Sequence, residues 1–154
     1  MKNRMLLLCG LLLVSGTLLA DGPRLPRELD KTWLEECGSC HIAFPPSMLT
    51  ADNWRRMMGG LDKHFGANAS LDADVAARIS AFLEHNASRR GERNASSTLR
   101  ITDTSWFVRE HDEVSPATWR DPKVKSAANC AACHTDTDSG LYKERNIVMP
   151  VTRR

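Results

Sequence analysis

Three features are missing from this sequence of 154 residues, and each absence excludes a class of protein. The main apolar run, residues 5–14, is shorter than the roughly 18–20 residues of a membrane-spanning helix. The first 20 residues hold two of the 21 basic residues and none of the 19 acidic ones, so the remaining chain lacks the basic excess typical of nucleic-acid binding. Almost no alternating strand pattern is present, which argues against the βαβ units of a thioredoxin-like dithiol protein. We therefore expect a mainly α protein with little or no β-structure, no stable membrane insertion and no nucleic acid partner.

Residues 1–20 have the pattern of a secretory signal peptide. Lys2 and Arg4 precede the apolar run, and the segment ends at Ala20, a small residue suited to cleavage. A retained membrane anchor is the alternative, and the shortness of the apolar run disfavours it. Cys9 lies inside the run, which gives little support to a lipoprotein. The sequence thus predicts export of residues 21–154.

No cysteine remains for a disulfide bond, because four of the five occur in two copies of one motif, C-x-x-C-H. This is the attachment pattern of c-type haem. Its two thiols lie one helical turn apart and can bond to the two vinyl groups of one haem, and the adjacent histidine can bind the iron. A redox dithiol or half of a zinc site is the alternative for a single copy, and two copies disfavour it. We predict two haem c groups, bound by Cys37, Cys40, Cys130 and Cys133, with His41 and His134 as iron ligands. Haem attachment in bacteria takes place in the periplasm, which agrees with export.

Each haem iron needs a second axial ligand, and three other histidines are available. His64 extends the apolar face of a predicted helix, and His111 follows Phe107 by four residues in a short predicted helix. His85 falls off its helix's apolar stripe, so we expect it to be exposed and keep it as a reserve ligand. His64 and His111 are therefore predicted as the distal ligands. Local pairing with His41 and His134 is the simplest arrangement, and a crossed arrangement stays open.

Helical spacing and capping residues predict the structure around the first motif. Asp30 caps a helix that runs into Cys37, with Trp33 in the core and Leu34 on the same face as Cys37. A second helix begins after Thr50, carries Trp54, Met57, Met58 and Leu61, continues to His64 and closes at Gly66.

Besides the short helix that carries His111, three further helices are predicted beyond it. One begins at residues 68–70 and carries an apolar stripe formed by Leu71, Val75, Ile79, Phe82 and Leu83. Ser115-Pro116 and Asp121-Pro122 each have the form of an N-cap followed by a first helical residue, and the second of these helices should run into Cys130.

Residues 87–98 are polar and rich in helix breakers, so we expect an N-terminal haem c lobe over 21–95 and a C-terminal one over 96–154. Each lobe is too small for a large core, which predicts a poorly folded apoprotein.

Several stretches together resemble the bacterial periplasmic dihaem cytochromes c: residues 37–46 (CGSCHIAFPP), Trp54 with His64-Phe65-Gly66, Arg100-Ile101-Thr102 with Trp106-Phe107 and His111, residues 128–134, and residues 144–147. The resemblance implies a small two-lobed electron carrier with an N-terminal lobe like a class I cytochrome c. It also implies two bis-histidine haems, with His41 and His134 proximal and His64 and His111 distal, and it gives His85 no role. Class I cytochromes c use a methionine far downstream of the motif, and the corresponding region near Leu99 has none.

The leading functional hypothesis is one-electron transfer between periplasmic redox proteins, without enzymatic activity. By resemblance, the partners include a membrane b-type cytochrome or a small oxygen-binding c-type cytochrome. The alternative is a haem enzyme or gas-binding sensor in which one iron lacks its distal ligand.

Overall fold

The computed structural model describes residues 22–89 and 98–150, and these residues form helices and 3-10 turns. The α-helices are α1 (Lys31–Cys37), α2 (Ala51–Met58), α3 (Ala73–His85), α4 (Ser105–Glu110) and α5 (Pro116–Trp119). Only isolated bridges, at His64–Ala67 and His134–Ile147, represent β-structure in the described ranges. This confirms the predicted mainly α fold. No helix in the same ranges is long and apolar enough to cross a membrane. The predicted signal peptide and the predicted lobe boundary at 95/96 lie outside the described residues.

Side-chain caps begin four of the helices. The Asp30 carboxylate accepts a hydrogen bond from the Trp33 backbone N–H at 2.9 Å and begins α1. Thr50 does the same for Asn53 in α2, and Ser115 for Thr118 in α5. Thr104 caps α4 through the N–H of Phe107. Each cap satisfies a backbone donor that has no partner inside the helix, and the predicted caps at Asp30, Thr50 and Ser115 are confirmed.

The main core lies where α1 and α2 pack against α3. Trp33, Ile79 and Leu83 are at most 1% exposed, which confirms Trp33 as a core residue. Ile101 is buried in the same cluster, and the Asn53 side-chain amide donates to the Thr98 carbonyl at 3.2 Å. Residues 98–101, where the second described range begins, therefore pack against the core formed by α1, α2 and α3. Leu34, three residues before Cys37 in α1, is 40% exposed.

The predicted helix from Trp54 to His64 is interrupted. Helix α2 ends at Met58, and Gly59 and Gly60 separate it from a 3-10 turn at Leu61–Lys63. Glycine is a poor helix former, so two glycines in succession end α2, although the apolar residues beyond them continue at helical spacing. His64 therefore ends the 3-10 turn and does not lie on the apolar face of a continuous helix.

The helices predicted after residues 68–70 and 121 also differ in the structure. Helix α3 begins at Ala73, so Leu71 precedes it, although Leu71 still packs against the core. The path from Asp121 to Cys130 is a series of turns and not a helix. Side chains take the place of helical hydrogen bonds there: Asp121 accepts from the Lys123 N–H, and Asn129 donates to the Val124 carbonyl. Lys125, with φ of 66°, turns the chain out of the helical conformation.

Replacing Asp30 with alanine is expected to lower the stability of the haem-loaded protein by about 1–2 kcal/mol at pH 7, because the N-cap is lost. The Trp33 N–H, and then Arg78 at 3.0 Å, hold the pKa of the Asp30 carboxyl below its usual value, against the opposing effect of burial. A carboxyl with a depressed folded-state pKa contributes stability above its unfolded pKa of about 3.9 and loses it as the pH falls through the lower folded value.

Thermal unfolding of wild type and Asp30→Ala at pH 7 and below pH 4 measures this effect. The difference in melting temperature should narrow at the acidic pH. Glu35→Ala is the matched control, because the Lys31–Glu35 pair is exposed and contributes less than about 1 kcal/mol. An equal loss in both variants, or a loss independent of pH, would contradict the assigned role of Asp30.

Candidate haem sites

The first histidine pair joins residues from either side of α2. His41 follows α1 directly, and its ring centroid lies 6.1 Å from that of His64, with 28° between the ring planes. Cys37 is the last residue of α1 and Cys40 is exposed beside it. Gly38 allows the tight bend between the cysteines, because a Cβ there would lie 2.3 Å from the Leu34 carbonyl oxygen. Cys37, Cys40, His41 and His64 are called site 1 below.

The second pair lies in the C-terminal part of the chain. The ring centroids of His111 and His134 are also 6.1 Å apart, with 78° between the ring planes. His111 caps the C-terminal end of α4, and the N–H of His134 donates to the Cys130 carbonyl at 2.8 Å. Cys130, Cys133, His111 and His134 are called site 2. The structure therefore pairs the four predicted histidines locally and not in the crossed arrangement.

The spacing in both pairs suits a single metal ion between two imidazoles. An imidazole nitrogen binds a transition metal at about 2.0–2.1 Å, and its ring centre lies about 1 Å further away. Two rings on opposite sides of one ion therefore have centroids about 6 Å apart. The four predicted iron ligands meet this condition, which a haem iron requires of its two axial ligands.

One histidine of each pair has its proton position defined by a backbone carbonyl. Nδ1 of His41 lies 2.7 Å from the Ile42 oxygen, and Nδ1 of His111 lies 2.9 Å from the Phe107 oxygen. A carbonyl accepts only from an N–H, so Nδ1 carries the proton and the Nε2 lone pair is available to a metal. In the described structure the Nδ1 atoms of His64 and His134 are buried without a hydrogen-bond partner.

The surroundings of His64 and His134 favour the neutral imidazole, the form that binds metals. Burial, and then the neighbouring His41 and Arg100, hold the pKa of His64 below its usual value. The pKa of His134 is lowered by burial and by His111. Before haem is attached, burial raises the pKa of the Cys37 and Cys130 thiols to about 11, so both free thiols are protonated at neutral pH.

Aromatic rings lie beside all four histidines. Phe44 lies 4.8 Å from His41 and Phe65 lies 4.9 Å from His64, measured between ring centroids. In site 2, Phe107 stacks on His111 at 4.0 Å, Trp119 lies 5.9 Å from His111, and Tyr142 lies 5.4 Å from His134.

Several of the exposed large apolar side chains also lie beside the predicted ligands. Phe65 follows His64 in the chain. Val108 lies in α4, which ends just before His111, and Ile147 forms an isolated β-bridge with His134. They are 46%, 57% and 38% exposed. Apolar surface next to the metal-binding side chains suits a large flat apolar group such as a haem, which would cover it.

The remaining candidates are separated from these sites. His85 is the last residue of α3 and belongs to neither histidine pair. Its side chain is exposed, which confirms the prediction from the sequence. Among the described residues, no group of three or more His, Cys, Asp and Glu side chains could hold a metal ion, so the two C-x-x-C pairs do not meet in one zinc site.

Sequence reasoning missed three residues that line the sites. Trp119 and Tyr142 approach His111 and His134, and the Arg100 guanidinium lies 4.2 Å from the Phe65 ring centroid. Their type gave a weak signal, because a lone tyrosine or tryptophan is usually core or surface. Trp119 and Tyr142 each lie eight residues beyond the histidine they approach, with turns between them, and Arg100 lies 35 residues beyond Phe65, so helical spacing could not reveal these contacts.

Two C-x-x-C-H motifs, each beside a pair of histidines at metal-binding distance, define a protein that carries covalent haem at two places. The family model for dihaem cytochrome c matches residues 33–142. The chain belongs to the dihaem cytochrome c family, a family of electron-transfer haem proteins, and its cofactors are two haem c groups with iron.

Solved structures support the same assignment. A dihaem cytochrome c from Shewanella baltica OS155 is 37% identical, with a TM-score of 0.69, over 78% of this chain and 92% of that one. A dihaem cytochrome c from Rhodobacter sphaeroides is 39% identical, with a TM-score of 0.67, over 73% and 96%. No curated protein matches the sequence.

Proposed function

We propose that this protein is a periplasmic electron carrier in which two histidines hold each haem iron. His41 and His64 are the axial ligands of the first haem, and His134 and His111 are those of the second. Cys37 and Cys40 bind the first haem covalently, and Cys130 and Cys133 bind the second. The observation that carries the proposal is the 6.1 Å spacing of both histidine pairs, which matches two imidazoles on one metal ion.

The bound haems supply a one-electron Fe(III)/Fe(II) couple. With a histidine pair holding each iron, neither iron would keep a position for a substrate, and this favours a carrier over an enzyme. Histidine in place of methionine also holds the reduction potentials low. The backbone carbonyls at Ile42 and Phe107 orient one histidine in each site and increase its strength as a ligand.

The proposed location and partners rest on the sequence. The charged, apolar and small-residue pattern of residues 1–20 supports export through a signal peptide. We infer redox proteins as partners, a membrane b-type cytochrome or a small oxygen-binding c-type cytochrome among them. Because acidic and basic residues outside the signal segment are balanced, docking would depend on local patches of charge.

Optical spectroscopy of the protein from a haem-attaching host tests the proposal. The number of haems per chain would be measured. Spectra would be recorded of the oxidised protein, of the reduced protein, and of the reduced protein immediately after mixing with carbon monoxide. Two low-spin haems with no rapid carbon monoxide binding are expected, because both axial positions are filled. A high-spin haem, or rapid stoichiometric binding of carbon monoxide, would overturn the carrier and favour the enzyme or sensor.

A further inference from the structure

The two predicted distal histidines are held to very different extents. Both belong to the ligand sets of the proposed function, on which this inference rests. His111 is anchored on a helix, and His64 is presented by an exposed turn. The difference matters because a distal histidine is joined to the haem only through its bond to iron, whereas the proximal one is adjacent to a covalently attached cysteine.

His111 is fixed by three contacts. Its Nδ1 donates to the Phe107 carbonyl at 2.9 Å, its ring stacks on Phe107 at 4.0 Å with 20° between the planes, and Trp119 lies 5.9 Å away. Phe107 is itself buried, at 7% exposure. The hydrogen bond sets the tautomer and the ring orientation for iron binding, so little freedom remains to be lost when the iron binds.

His64 lacks the corresponding support. Its Nδ1 is buried, and no acceptor for it exists among the described residues. It sits between the 3-10 turn Leu61–Lys63 and two residues with positive φ, Phe65 at 48° and Gly66 at 99°. Phenylalanine rarely adopts that conformation, so the backbone beside His64 is strained. A ligand without an oriented second nitrogen, on a strained turn, binds its metal less firmly.

The turn also gives access from solvent. Phe65 is 46% exposed, and its ring contacts both His64 and the Arg100 guanidinium. Residues 65–68 are exposed as well. Displacement of the His111 ring breaks its hydrogen bond to the Phe107 carbonyl and its stacking contact with the buried Phe107 ring, whereas the His64 ring has no Nδ1 hydrogen bond to break.

We propose that the first haem is a ligand-exchange site, in which His64 leaves the iron and a small neutral ligand of the carbon monoxide class takes its place. The bond from iron to the His64 nitrogen breaks and a bond from iron to the incoming atom forms. No electron is transferred, and the neutral imidazole stays on the chain. The second haem keeps both of its histidines. Loss of the hydrogen bond that orients a metal-binding histidine typically lowers metal affinity by about 10–100-fold, so we expect exchange at the first haem and none at the second on the same timescale.

Stopped-flow mixing of the reduced, haem-loaded protein with carbon monoxide tests the proposal. The wild type should show a slow phase with an amplitude of one haem per chain, and its rate should become independent of carbon monoxide concentration when His64 dissociation limits it. His64→Ala should replace this slow phase by a fast, concentration-dependent one. His111→Ala is the matched variant, which should add a fast phase for the second haem and keep the slow one.

Each other result has a defined meaning. A slow phase that persists in His64→Ala and disappears in His111→Ala overturns the proposal, as does equal exchange at both haems or no exchange at either. Rapid binding to the wild type within the mixing time, together with a high-spin spectrum, would instead show that the iron is open from the start. That result contradicts bis-histidine ligation itself and is distinguishable from failure of the exchange proposal.

Discussion

Substituting His111 with methionine is expected to raise the reduction potential of the second haem by on the order of 100 mV, since axial ligands set haem potentials over a range of about 0.8 V. A thioether sulfur favours Fe(II) more than an imidazole nitrogen does. His111 is the side chain chosen because it faces His134 at 6.1 Å and is fixed by the Phe107 carbonyl. Methionine has the length to reach the iron from the same backbone position.

A spectroelectrochemical titration of the haem-loaded protein measures both potentials. In His111→Met one potential should rise and the other should stay near its wild-type value. His85→Met is the matched control, because His85 is exposed at the end of α3 and should leave both potentials unchanged. An unchanged pair of potentials in His111→Met, or a shift in the His85 variant, would contradict the ligand assignment.

Removing the second haem through Cys130→Ala and Cys133→Ala is expected to unfold most of the chain after residue 104 while α1, α2 and α3 persist. The buried apolar core is unevenly distributed. Of the buried apolar side chains described, only Phe107 and Val124 follow residue 104, and the others form the cluster around Trp33 and Ile79. A buried side chain of this size contributes about 1.5–3 kcal/mol, and ordering each residue costs about 1–2 kcal/mol, so two side chains cannot order this part of the chain.

Amide hydrogen exchange on the one-haem protein provides the measurement. Amides in α4 and α5 should lose protection, and those in α3 should keep it. The complementary variant, Cys37→Ala with Cys40→Ala, should reduce protection less sharply in α3, because the apolar cluster of the N-terminal part remains. Full protection of α4 and α5 without the second haem would refute this dependence.

The contiguous features of this protein were predictable from the sequence. Asp30 and Thr50 act as caps through backbone groups three residues away, so their roles need no tertiary information. The two C-x-x-C-H motifs likewise place the attachment cysteines and the adjacent histidine within one turn. The mainly α fold followed from helical spacing, and the two haem c groups followed from the motifs.

Local chemistry also misled the prediction in places. Helical spacing carried His64 along a continuous helix, but Gly59 and Gly60 end α2 first. Near Cys130, side-chain hydrogen bonds from Asp121 and Asn129, together with the positive φ of Lys125, replace the expected helix by turns. The free energies of these local contacts are similar in size to the helix propensities on which the prediction depended, so the contacts can prevent a helix from forming.

The sequence by itself determined that the protein carries two haem c groups, because the C-x-x-C-H motifs that predict them consist of neighbouring residues alone. Only the tertiary structure decided which distant histidine faces which motif, because residues far apart in the chain meet through packing that spacing does not encode. It placed His64 on a strained turn and His111 on an anchored helix end. It also brought Arg100, Trp119 and Tyr142 to the sites. Two histidines predicted for the same role are thus presented by different backbone conformations, and the proposed difference between the haems depends on that contrast.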